Sequence, residues 1–554
     1  MVPQNWLGKC CRRGRSLIRG AASPGSGDSD RRCVRACCNS WFTAKAKRVN
    51  VRGVSSKINL YDRVPYPGLA FLQTHPDRLA VLGTLFGMNP VPVEHCRVLE
   101  IACGNGSNLI PMAYGLPGSE FVGLDLAAKP VEVAQERIRR LILKNIRIER
   151  LDLMEVGPEF GEFDYIIAHG VYAWVPKAVQ EKILAICRTN LNAHGVAFVS
   201  YNTNPAGHIR EVFREMMQFR ERRASGATNP VKTAREFLEV ILKATDSRSP
   251  WKALFDDELK LMFNRDEKVV YHDDLAECFQ PLSFGDFAER AQGCGLQFLS
   301  EAHLNDVLEP ELGAEALDAL SQLAAGDLIA YQQYLDFARY RRFRQTLLCH
   351  AELRLRREEV ESRMRNLLVA SPMRATAAQP DGTVEFNNMR GAGTITTNNP
   401  VIVAVLRQLQ KTWPRAERFE DLVSATLPFV PEAERTEAAK GLAQAMLRLA
   451  ASTLADLRTS DPPLAAGVSE RPTASVLARL MVEEGGLVTT LLHTHLNIED
   501  EQGRRFLQLL DGTRDRQALT EVIAAETPNE SRETILKQVD GNLTNFYRMG
   551  LLVA

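Results

Sequence analysis

Three short stretches of this sequence end in residues able to hold a ligand that is both charged and rich in hydroxyls. Glu100 lies within the apolar run Val98-Leu99-Glu100-Ile101, and Ala102-Cys103-Gly104-Asn105-Gly106 follows at once. Asp125 closes the run at 120–125, and Asp152-Leu153 follows the run at 146–150. Gly104 and Gly106 lack side chains, so the backbone can turn sharply and approach a ligand closely. Asp125 is placed to accept both hydroxyls of a ribose, and Asp152 can accept from the exocyclic amine of adenine. Two glycines and two acids at successive strand ends describe an adenosine pocket.

The elements that must position these residues follow from periodicity. Short apolar runs at 98–101, 120–125, 146–150, 163–168 and 196–201 read as strands, and helical segments separate them. The segment 130–143 places Val131, Ala134, Ile138, Leu141 and Ile142 on one helical face, and 176–190 supplies another helix. Alternating strands and helices predict an α/β fold with a doubly wound, mostly parallel sheet, in which ligands sit beyond the carboxyl ends of the strands.

A dinucleotide-binding sheet makes a similar pocket. Its G-x-G-x-x-G fingerprint meets Gly104-Asn105-Gly106-Ser107-Asn108-Leu109 here, and Leu109 obstructs the close helix packing that supports a pyrophosphate. Glu100 also suits a cationic ligand better than phosphates. No H-E-x-x-H, P-loop or G-x-S-x-G pattern occurs.

The stretch Val98 to Gly106 resembles the first motif of class I S-adenosylmethionine-dependent methyltransferases, with Ala102 where the family's first glycine usually stands. The resemblance implies a Rossmann-like, seven-stranded-type core with S-adenosylmethionine as cofactor, held by Glu100, Ala102, Gly104, Gly106, Asp125, Leu126, Asp152, Leu153 and His169. A narrower resemblance rests on Tyr61-Asp62-Arg63-Val64-Pro65-Tyr66-Pro67, Gln73-Thr74-His75-Pro76-Asp77-Arg78-Leu79, His169-Gly170-Val171-Tyr172-Ala173-Trp174-Val175-Pro176 and Ser200-Tyr201-Asn202. These are similar to bacterial methyltransferases with an appended methyltransferase regulatory domain, including rickettsial protein-lysine methyltransferases that act on an outer-membrane protein. The implied acceptor is therefore a protein lysine, on an outer-membrane or surface protein before export. His169, Tyr172 and Tyr201 are the catalytic candidates, and Tyr61, Tyr66 and Trp174 the candidate acceptor channel, where aromatic faces can hold an ammonium. A small-molecule methyltransferase and a non-catalytic cofactor sensor are the competing expectations. The Pro-Pro-aromatic motif of nucleic-acid amino-methylating enzymes is absent at 169–172.

The 554 residues allow three to four domains. Residues 1–56 read as a basic, cysteine-containing, disordered extension. Within it 1–49 carries 11 Lys and Arg against Asp28 and Asp30, while the other residues carry 57 basic and 66 acidic ones. The acidic body opposes nucleic-acid binding. A zinc site at Cys33, Cys37 and Cys38 lacks a second ligand pair, so no metal is expected. Scattered cysteines and the lack of an apolar leader or membrane span point to a cytoplasmic protein. The methyltransferase core is expected at 57–208, a helical cap or regulatory insertion at 209–280, completion of the sheet at 281–308, a helical extension at 309–370, a linker at 371–400 and a winged-helix-like region at 401–554. The arginines between Arg339 and Arg365 predict a long solvated helix with Glu352–Arg356 and Glu359–Arg363 ion pairs. His493-Thr494-His495 has no third ligand nearby and is expected at the surface.

Overall fold

Every residue of Phe163–Ala168 is buried, as befits a strand covered on both faces of a parallel sheet. In the computed structural model, which describes residues 60–224, 229–308, 312–426 and 430–553, this strand is β4. Around it lie β1 (Arg97–Ile101), β2 (Glu120–Asp125), β3 (Ile146–Arg150), β5 (Leu191–Asn202), β6 (Leu296–Glu301) and β7 (Phe343–His350), in the order β3-β2-β1-β4-β5-β7-β6. Only β7 runs antiparallel to its neighbours. β1 pairs with both β2 and β4, so the connections diverge there and open a crevice beyond their carboxyl ends. The extension 1–56, with Cys33, Cys37 and Cys38, lies outside the described residues. Among those described, no helix is long and apolar enough to cross a membrane.

Several elements depart from the sequence reading. The helix after β2 runs Ala128–Arg140; Val131 and Ala134 are buried, but Ile142 lies past its end, left-handed and 73% exposed. The arginine-rich segment is not one long helix. A helix ends at Arg339, and the next segment becomes β7, whose Leu347, Leu348 and Cys349 fill the gap between β5 and β6. The sheet's demand for a buried strand overrides local helix propensity. Arg344 of β7 is fully buried, with Nε donating to Asp336 Oδ2 at 2.7 Å and Nη1 to Glu301 Oε1 at 2.8 Å. Glu352 pairs with Arg188 at 2.7 Å rather than with Arg356, while Arg363 does pair with Glu359 at 2.8 Å. The sheet is thus completed by residues beyond 308.

Residues 371–400 are not a linker. β8 (Leu368–Ala370) pairs with β12 (Glu417–Arg418) and β13 (Asp456–Arg458), while β9 (Met373–Ala375), β10 (Val384–Asn388) and β11 (Thr394–Thr397) form an antiparallel sheet. Met373, Val384 and Phe386 pack there against Leu406 of the helix Pro400–Thr412. Leu409, Leu442, Met446 and Leu457 join the same apolar cluster as Leu79, Leu85 and Val98, so 401–458 is continuous with the core of the seven-stranded sheet. The remaining unit has its own core around Phe506, Leu519, Ile535 and Leu543. It consists of the helices Val476–Glu484, Glu501–Leu509, Arg516–Glu526 and Arg532–Arg548 and a hairpin of β14 (Leu487–Thr489) and β15 (His495–Asn497).

Four helices, Ala206–Arg223, Pro230–Ala244, Pro250–Phe263 and Glu267–Asp274, leave the sheet after β5 and pack on one another through Phe213, Leu238, Phe255 and Leu259. Arg210, Phe213, Met262, Arg265 and Asp273 of this group face the crevice.

Candidate functional site

A cavity of about 1060 Å³ opens beyond the carboxyl ends of β1, β2 and β4. Glu100, Ala102, Gly104, Asp125, Leu126, Asp152, Leu153, His169, Tyr61, Tyr66 and Trp174 all line it. The segment 61–73 crosses its mouth as a strap, contributing Pro65, Pro67, Leu69, Phe71 and Gln73 as well.

Gly104 has φ +54°, and a Cβ there would project into empty space. Ala102 shares the left-handed conformation at φ +57°, so the backbone keeps a glycine-like turn where alanine stands. Gly106 faces away from the cavity, and a Cβ on it would press on Ile148 and Ile110 at 2.7 and 2.8 Å. Its role is close packing of the loop.

The N–H groups of Gly104 and Ala127 donate to Oδ2 and Oδ1 of Asp125, both at 2.8 Å. Burial pushes the Asp125 carboxyl up while these hydrogen bonds pull it down. Asp152 accepts from Met154 N at 2.9 Å and starts a short turn that brings Leu153 to the cavity wall.

Glu100 is buried, which pushes its carboxyl up to about 7, and Asn108 Nδ2 donates to its Oε1 at 2.7 Å. Its Oε2 has no hydrogen-bond partner among the described residues. A buried carboxylate oxygen without a donor is costly and marks a place for a cationic donor such as an amino group. With the open space at Gly104, this unpaired oxygen makes the pocket fit S-adenosylmethionine: Glu100 would take its ammonium and Asp125 its ribose hydroxyls, with Leu126 and Leu153 as apolar wall for the purine.

His169 lies beside the strap, its ring 4.1 Å from that of Phe71. Ser200 Oγ accepts from Gly170 N at 2.8 Å and meets His169 Nδ1 at 3.0 Å. With the hydroxyl hydrogen turned to Nδ1, Nε2 carries the ring proton. Burial holds the imidazole down to about 4, so it stays neutral and is a weak base. Tyr172 and Tyr201 do not line the cavity. Both are buried, and Tyr201 stacks on Phe287 at 4.3 Å with Tyr172 edge-on to the same ring at 5.4 Å. They are core residues, because the helix Phe284–Gly293 covers the sheet face to which they point.

Also on the cavity wall, Tyr61 stacks on His272 at 4.2 Å, and Tyr66 lies 6.4 Å from Tyr61. Arg210 lies 5.2 Å over Trp174 and pairs with Asp273 at 3.3 Å and Asp274 at 2.8 Å. Burial pushes the Asp273 carboxyl up, and burial, with the neighbouring Asp273 and Asp125 charges adding to it, raises Tyr61 to about 12. Sequence reasoning missed Asn108, Phe71, Arg210 and Asp273. Asn108 lies in the loop after β1, but an amide there carries no signal of its own; Phe71, Arg210 and Asp273 come from segments joined to the site only by folding. It also misplaced the paired histidines: His493 is 3% exposed, and its Nε2 lies 3.0 Å from Asn108 Oδ1.

The sheet order, the glycine turn and the acids at successive strand ends define a class I S-adenosylmethionine-dependent methyltransferase. Family models agree: a methyltransferase domain matches 98–195, a predicted methyltransferase regulatory domain matches 266–350, and a PKMT C-terminal winged helix domain matches 470–545. The regulatory match takes in the last cap helix together with β6 and β7. The chain belongs to this family of methyltransferases, and S-adenosylmethionine is its cofactor. It is 36% identical over 233 residues to the uncharacterized protein RP028 of Rickettsia prowazekii, covering 42% of this chain and 93% of that one. It is 27% identical over 519 residues to RP789 of the same organism, covering 90% and 93%. The solved structure of PKMT2 from Rickettsia typhi in complex with AdoHcy matches with a TM-score of 0.79 at 26% identity, covering 88% of this chain and all of that one.

Proposed function

We propose that this methyltransferase acts on lysine side chains of a protein acceptor. The observation that carries the reading is one cavity whose wall holds both Asp125 and an aromatic, charged group of side chains, Tyr61, Tyr66, Trp174, Arg210 and Asp273, beneath the cap. Similarity to a rickettsial PKMT2 across most of the chain supports it. The resemblance of the sequence motifs to rickettsial protein-lysine methyltransferases implies an outer-membrane or surface protein as acceptor, modified in the cytoplasm before export. The unpaired state of all six described cysteines accords with a reducing compartment.

When bound, the cofactor supplies an electrophilic sulfonium methyl, and the protein aligns the acceptor with it. Asp125 holds the ribose hydroxyls, Asp152, Leu126 and Leu153 surround the adenine, and Glu100 holds the amino group. His169 offers Nε2–H to the methionine end and is not the base. A lysine of pKa ~10.4 is neutral in fewer than about one molecule in a thousand at pH 7, so the site must favour loss of its proton. Tyr61, Tyr66 and Trp174 receive the ammonium while the strap and cap exclude water, and desolvation lowers its pKa. Asp273 is the carboxylate offered to the departing proton.

Acetylating the lysines of a bacterial protein fraction before incubation with the enzyme and methyl-labelled S-adenosylmethionine should abolish protein labelling. Undiminished labelling after complete acetylation would assign the methyl group to another nucleophile.

A further inference from the structure

Asn108 precedes the helix Leu109–Gly115 yet does not cap it with its side chain. The amide instead links four segments. Its Nδ2 donates to Glu100 Oε1 at 2.7 Å and to Thr74 Oγ1 at 3.0 Å, and its Oδ1 accepts from Phe71 N at 2.8 Å. The Phe71 N–H can only donate, so Oδ1 must face the strap and Nδ2 must face Glu100. His493 Nε2, 3.0 Å from the same Oδ1, is therefore also a donor.

His493 sits at the tip of the β14–β15 hairpin, 385 residues from Asn108 in the chain. Two residues on, His495 Nε2 meets the backbone of Ala70, 3.0 Å from its N and 2.8 Å from its O. The wing tip thus touches both the strap over the cavity and the amide that orients Glu100. Arg137 and Glu484, 2.7 Å apart, tie the module to the helix after β2. Burial holds the His493 ring neutral, a state in which Nε2 can keep its hydrogen.

We propose that the wing of the C-terminal module is a working part of the cofactor site, with His493 as a positioning residue. By fixing the Asn108 amide, His493 aims Glu100 at the amino group of the cofactor, a step that rests on the proposed role of Glu100. Docking of the module and binding of the cofactor are then coupled, and the coupling is reciprocal. A module that also meets the acceptor would pass acceptor docking to the cofactor through one side chain. Wing packing for stability alone would not distinguish ligands with an amino group from those without one.

The test compares S-adenosylhomocysteine with 5′-methylthioadenosine, which keeps the adenosine but lacks the amino-acid end, by calorimetry on the full chain. His493→Met, which removes the donor while keeping the bulk, should weaken S-adenosylhomocysteine about tenfold and leave 5′-methylthioadenosine unchanged. His493→Gln, whose amide can donate from nearly the same place, should restore wild-type affinity. In the unmodified protein, S-adenosylhomocysteine but not 5′-methylthioadenosine should slow hydrogen exchange at 490–495. Equal loss of both ligands, no loss of either, failure of Gln to restore, or exchange indifferent to the amino-acid end would each overturn the proposal. Glu100→Gln separates the two layers. If it spares the preference for S-adenosylhomocysteine, the role of Glu100 is wrong; if it abolishes the preference while His493→Met does not, only the coupling is wrong.

Discussion

The backbone N–H of Gly104 donates to Asp125 Oδ2 at 2.8 Å, which ties the loop after β1 to the end of β2. One carboxylate therefore shapes the glycine turn while presenting its remaining lone pairs to the cavity. On the proposed role, Asp125→Ala would remove two charge-assisted bonds to the ribose and loosen the turn. At about 1.5 kcal/mol or more per bond, S-adenosylhomocysteine should bind at least about 100-fold more weakly by calorimetry. Unchanged affinity would mean the adenosine end lies elsewhere.

The Glu100 carboxyl, raised by burial from 4.5 to about 7, makes a pH prediction. The ligand-free fold prefers the protonated acid, so this group's contribution to stability is full below about 4.5 and is lost as pH rises through 7, by about 3 kcal/mol at most. A bound ammonium favours the carboxylate instead. Affinity for S-adenosylhomocysteine should rise about tenfold from pH 6 to pH 8, with proton release seen as a buffer-dependent enthalpy. Glu100→Gln should flatten both profiles.

Ala102 holds φ +57°, a conformation that costs an L-residue about 1 kcal/mol. Ala102→Gly relieves that strain but adds freedom to the unfolded chain. Thermal denaturation should show a midpoint equal to or above the wild type, with cofactor affinity intact. A clear loss of stability would mean that the alanine methyl packs usefully.

Asp273 and Tyr201 separate the acceptor chamber from the core. Asp273→Asn should lower kcat/KM for the protein acceptor by 10-fold or more, an order-of-magnitude expectation for general-base loss, and leave cofactor affinity unchanged. Tyr201→Phe loses a 3.2 Å hydrogen bond to Thr346, costing about 1 kcal/mol of stability and no turnover.

The sequence was most legible where burial and periodicity agree. Apolar runs placed β1, β2 and β4, and the alternation of Ile146-Arg147-Ile148 placed β3, each within a residue or two, and with them Glu100, Gly104, Asp125 and Asp152 at one crevice. It was least legible where tertiary structure overrides local preference. The alternation in Phe343–His350 is masked by Arg344, whose charge is compensated by Glu301 and Asp336 from other segments. His493 carried no signal, because its partner Asn108 lies on a different domain. Tyr172 and Tyr201 shared the site's neighbourhood in sequence but are buried against Phe287 instead of lining the cavity.

The most direct test of the account follows the methyl group itself. Purified protein is incubated with methyl-labelled S-adenosylmethionine and a fractionated bacterial lysate, and the label is traced by size and by amino-acid analysis. The account predicts acid-stable label in protein, recovered as methyl-lysine and absent with Asp125→Ala. Label confined to small molecules or to nucleic acid would contradict it.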